Sequence, residues 1–157
     1  MSEPRAERTR TLLQEAAAHL RQAERYLVAT PPDYAAALAD MLAIFRTSLR
    51  AFLTWTDSSE VDGEADLHAL AVRAGHLASI LKTPAHRALL LAERAPAIEQ
   101  SIRRSDRLSV ADREDVETGW YTARNLYQTV LGNVPASLRP TGRRSAPARP
   151  ERGEVSA

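Results

Sequence analysis

Apolar residues in this chain recur every three or four positions, and almost nowhere do they alternate every second one. Leu12, Leu13, Ala16, Leu20, Ala23 and Leu27 form the first such stripe. Steps of three and four keep side chains on one face of an α-helix, where each residue turns about 100°. Gln14, Arg21 and Glu24 fall off that stripe. The pattern predicts a helix over residues 5–28. No stretch alternates Val, Ile or Thr with polar residues between turns, so no strand is predicted. The chain is thereby confined to an all-α architecture.

Caps and prolines punctuate the pattern. Thr30 can cap a second helix, Pro31 suits its first position and Asp33 can complete a capping box. That helix is expected from Pro31 to about Thr54. Leu38, Met41, Leu42, Phe45, Leu49, Phe52 and Leu53 give it the widest apolar face in the chain, so it should be the central helix. The turn formers of "TDSSEVDG" predict a loop. A shorter helix over 64–74 would turn Leu67, Leu70, Ala71 and Ala74 inward, with Gly75 weakening it and "HLASIL" continuing past a kink. Thr83 and Pro84 repeat the cap-plus-proline signal. The helix they open should reach Arg94 and break at Pro96, because an interior proline removes a backbone bond. A short continuation would carry Ile98 and Ile102. Ser109 and Asp112 have capping-box spacing before a last helix. Its inward stripe would be Val116, Trp120, Ala123, Tyr127 and Val130, with Gly132 as C-cap and Pro135 as stop. The expected fold is an antiparallel bundle of about five helices, a single domain over residues 1–136. Residues 137–157 are rich in Pro, Arg, Ser and Ala. They bury too little to offset their ordering entropy, which predicts a disordered tail.

Charge and composition exclude several function classes. A chain of 157 residues suffices for one core. It has no cysteine, which rules out disulfides, thiolate metal sites and a cysteine nucleophile. No apolar run approaches the roughly eighteen residues of a membrane span. "MSEPRAERTR" lacks the apolar core of a signal peptide, so a cytoplasmic location is expected. The net charge is +1. Five arginines from Arg139 onward, against Glu151 and Glu154, give the tail +3 and leave −2 for residues 1–138. Such a body has no bulk electrostatic case for a phosphate backbone, which needs clustered Lys and Arg.

Candidate chemistry is sparse. Glu15/His19 and Glu64/His68 share a helix face at spacing four, which suits surface ion pairing. A di-iron bundle needs Glu-x-x-His on two helices, a spacing not found here, so no metal or cofactor is expected. His76, near the kink, and His86, in the first turn of a helix, are candidate general bases without an identified nucleophile. Arg103, Arg104, Arg107 and Arg113 are largely cancelled by Asp106, Asp112, Glu114 and Asp115.

The order of features resembles the HEPN family (higher eukaryotes and prokaryotes nucleotide-binding). It runs from "LLQEAAAHLRQAERYL" through a core helix ending "FRTSLRAFLTW" and a polar loop to "EADLHALAVRAG", with the Asp–Leu helix start "DLHAL". The final helix, "VETGWYTARNLYQTVL", carries an Arg–Asn pair. The resemblance implies an antiparallel bundle that pairs into a homodimer. Active members are metal-independent endoribonucleases, in which an arginine is followed four to six residues later by a histidine. Arginine would hold the scissile phosphate, and histidine would move the proton of the attacking 2′-hydroxyl. Arg124 and Asn125 match the opening of that motif, but Thr129, Val130 and Leu131 stand where its histidine falls. The resemblance therefore implies a non-catalytic binding or interaction module. Its partner would be a protein encoded nearby, as in toxin–antitoxin or nucleotidyltransferase-associated systems, or RNA or a nucleotide. The alternative is a toxin-like endoribonuclease pairing Arg124 with His76 or His86. A purely structural Arg124 would instead pair with Glu117 or Asp33.

Overall fold

A computed structural model describes residues 3–57, 66–105 and 108–140. Five α-helices account for most of them: α1 (Glu3–Val28), α2 (Tyr34–Thr56), α3 (Leu67–Leu77), α4 (Lys82–Ser105) and α5 (Val110–Leu131). Two 3₁₀ turns, Ser79–Leu81 and Ala136–Leu138, follow α3 and α5. There is no strand among the described residues, and the architecture is an all-α helical bundle. None of the helices is long and apolar enough to cross a membrane.

The centre is α2, which packs against all four other helices. Leu38, Met41, Ile44, Phe45, Leu49 and Leu53 are fully buried on it. Leu12, Leu13, Ala16 and Ala23 meet them from α1. Side-chain and backbone bonds fix the α1–α2 register. The Arg5 guanidinium donates to the carbonyl oxygens of Thr54, at 2.8 Å, and Trp55. His19 Nδ1 lies 2.7 Å from Asp40 Oδ1. The Asp33 amide donates to the Tyr26 carbonyl at 3.0 Å. From Arg5 to His19 to Tyr26 the chain climbs fourteen and then seven residues, while the partners descend by the same steps, so the hairpin is antiparallel in one unbroken register. Arg5 also places positive charge on the last carbonyls of α2, the end where the helix dipole favours it. On α4 and α5, Arg94 pairs with Asp112 and Asp115 at 2.8 and 3.0 Å. Gly119 lets the two helices close: a Cβ there would stand 2.5 Å from Leu91 Cδ2 and 3.0 Å from Met41 Sδ.

Several boundaries differ from the sequence expectations. Helix α2 is capped by Asp33, whose carboxylate accepts the Ala36 amide at 3.0 Å, and not by Thr30. The cause is Pro32: a residue before proline is turned away from the α region, so neither Thr30 nor Pro31 can open a helix. The loop over 58–63 and residues Glu64 and Ala65 lie outside the described residues. Helix α3 starts at Leu67, with Asp66 capping through the Ala69 amide, and runs to Leu77. The break falls at extended Ala78 rather than at Gly75. Thr83 is no cap, because the 3₁₀ turn runs straight into α4 and the Lys82 amide already bonds to the Ser79 carbonyl. Helix α4 passes through Pro96 without ending. Pro96 itself is exposed, while Ala95 and Ile98 on either side are buried in the core. That burial outweighs the roughly 3 kcal/mol cost of an interior proline. The Ser109 cap on the Asp112 amide and the Gly132 C-cap stand where expected. The fold extends past the expected end at 136, since Leu138 is buried and its turn packs on α1. Residues 141–157 of the expected tail lie outside the described residues.

Candidate functional site

Helix α5 presents the remnant motif. Arg124 is exposed, and its guanidinium lies 5.4 Å from the centre of the Trp120 ring, one turn earlier. Trp120 is half-buried rather than a core residue, and the inward positions include Gly119 and Leu126 instead. Its indole donates to the Leu20 carbonyl of α1 at 3.3 Å, and Tyr121 packs edge-on against it at 5.1 Å. Arg124 is thus held by stacking. Of the two carboxylates expected beside it, Glu117 lies 3.4 Å from the Tyr34 hydroxyl and Asp33 caps α2. Asn125 is exposed, and the Thr129 hydroxyl donates back to the Asn125 carbonyl at 2.8 Å. Thr129 is spent inside its own helix. Tyr127 on this helix and Tyr34 beside it both keep their phenolic protons more firmly than usual. Burial raises the pKa of Tyr127 against the opposing charge of Arg21. Burial and then the Glu117 charge raise that of Tyr34. Neither phenol can supply a base near neutral pH.

The histidines lie elsewhere. On α3, His68, Val72 and His76 follow one another at four-residue steps and share a face. On α4, Lys82, His86 and Leu89 make the facing ridge. Between them runs an open groove of about 290 Å³, floored by Ala71, Gly75 and Ala85. Gly75 permits the close approach at its turn end, where a Cβ would stand 3.0 Å from Lys82 Cγ. The structure brings together His76 and His86, which the sequence offered as separate bases, and adds His68, read there only as a surface pair with Glu64, and Lys82, which it did not single out. Three of the chain's four histidines and its only lysine line this one groove. That lone lysine is a signal the sequence held. Arg124 is not a lining residue.

The remaining candidates are structural. His19 pairs across the hairpin with Asp40, not along its own helix with Glu15. Glu64, the expected mate of His68, is outside the described residues. Arg113 lines a separate cleft with Tyr34 and Ile102, and Asp112 and Asp115 are taken by Arg94. Among the described residues no group of three His, Asp or Glu side chains is placed to hold a metal ion. Geometry gives the reason for α3: His68 and His76 are separated by about 12 Å along the helix axis, at 1.5 Å per residue. No family model matches the chain, and no curated protein or solved structure matches it either.

Proposed function

We propose that this chain is a non-catalytic, HEPN-like helical binding module, one that holds a partner without transforming it. The observation in its favour is the separation of the two halves of the expected catalytic pair. Arg124 stacks on Trp120 along α5, whereas His76 and His86 line a groove to which α5 contributes nothing. RNA cleavage of this kind needs a base within hydrogen-bond reach of the 2′-hydroxyl while the arginine grips the phosphate. Arg124 alone offers binding without proton transfer. The family resemblance supplies a second copy of the chain as the first expected partner. The −2 charge of residues 1–138 favours a protein partner encoded nearby over RNA.

The test is incubation of RNA with the purified protein and with an Arg124→Ala variant in EDTA, beside sedimentation of the wild type. Neither protein should cleave, and the wild type should sediment as a dimer. Cleavage that disappears in the variant would replace this reading with an endoribonuclease pairing Arg124 with a histidine brought from elsewhere, such as His76 or His86.

A further inference from the structure

We infer that the groove between α3 and α4 is a binding site for a small organic anion with a flat apolar body, of which an aromatic carboxylate is the simplest member. The inference rests on the binding-module reading and gives that module a ligand class.

Three properties of the groove carry it. The first is its charge. Lys82 and the three imidazoles of His68, His76 and His86 ring it, and among the described residues none of the nine that line it is an Asp or Glu. Every polar side chain there can donate a hydrogen bond to an anion, and Lys82 stands at the start of α4, the positive end of that helix's dipole. The second is its apolar lining. Ala71, Val72, Gly75, Ala85 and Leu89 offer only apolar surface, and Val72 is left half in water at 46% exposure. A bare inorganic anion would leave that surface uncovered, whereas a ring system would bury it. The third is its size. At about 290 Å³ the groove sits at the small end of the range for ligand clefts, enough for one or two fused rings. The imidazoles are spread along it rather than gathered at a point, which suits an elongated planar guest better than a metal ion.

The chain has only four histidines, and the fourth provides an internal control. His19 is on α1, bonded to Asp40 and outside the groove. The experiment is a titration of the full chain followed by the imidazole carbon–proton NMR signals, using 2-naphthoate, neutral 2-naphthol and the cation of 2-naphthylmethylamine. These share one ring body and differ in charge. Naphthoate should shift the signals of His68, His76 and His86 saturably and leave that of His19 in place. The cation should bind about ten-fold more weakly or worse, because it meets the same ring of donors with the wrong sign. Lys82→Gln, at an exposed position, should weaken naphthoate by about five-fold, the scale of one exposed ion pair, and leave naphthol unchanged. Equal affinity for all three compounds would overturn the inference by showing a merely apolar patch. So would naphthoate shifts that fall equally on His19, or no shifts at millimolar ligand. The titration reads the groove and the RNA assay reads Arg124, so either can fail without the other.

Discussion

The α1–α2 and α3–α4 pairs are both helices joined by short connections, yet they spend their facing side chains differently. Between α1 and α2 the gap is filled. Leu12, Leu13, Leu38, Phe45 and Leu49 are buried, and polar pairs at Arg5, His19 and Asp33 hold both ends and the middle. Between α3 and α4 the facing residues are small. Ala71, Gly75 and Ala85 let the backbones approach, but they are too short to fill the space above them. Larger apolar residues of that half, Val72, Leu77, Ile80 and Leu90, stand exposed. Small residues buy proximity and leave a groove; large ones give burial and leave none. Stability is therefore concentrated in the first pair and capacity for a ligand in the second.

Substitutions can break or sharpen that contrast. Leu13 is fully buried at the first pair, so Leu13→Ala should cost about 3–5 kcal/mol in urea denaturation, the range for a cavity left in a tight core. A loss below about 1 kcal/mol would show that the first pair is not the stabilising half. Arg5→Met keeps the stem and removes the bonds to the Thr54 and Trp55 carbonyls. A loss of about 1.5–3 kcal/mol is expected, as for hydrogen bonds to a charged group, and high salt should reduce the difference from wild type. Replacing His68, His76 and His86 together by alanine should have the smallest effect, within about 0.5 kcal/mol, since all three are exposed. A large drop in melting temperature there would make the groove part of the scaffold rather than a surface kept open.

Much of the scaffold was legible along the chain because its causes are local. The three- and four-residue apolar steps mark α1, α2 and α5 to within a few residues. Ser109 and Gly132 cap as their chemistry requires, since a cap acts on amides and carbonyls within one turn. Pro32 could have been used better: its effect on the residue before it is also local, and it moves the cap of α2 to Asp33. The remnant motif at Arg124 and Asn125 was visible as residues. What Arg124 touches was not, though Trp120 one turn away was the nearest hint.

Other features were decided only by packing between distant segments. The Arg5 bond to the Thr54 carbonyl spans 49 residues, and no periodicity announces it. Pro96 stays inside α4 because Ala95 and Ile98 are buried against other helices, a stabilisation that propensity does not contain. The groove was hidden for the same reason. His68, His76, Lys82 and His86 are separate polar residues on two helices until a break at Ala78 folds one helix against the other. Sequence alone determined which segments are helical and, to within a few residues, where α1, α2 and α5 begin and end, because backbone hydrogen bonding and side-chain periodicity are settled within a turn or two. Only the tertiary structure decided which side chains share a cleft, because that depends on the angle and closeness of helices far apart in the chain, set by the residues buried between them.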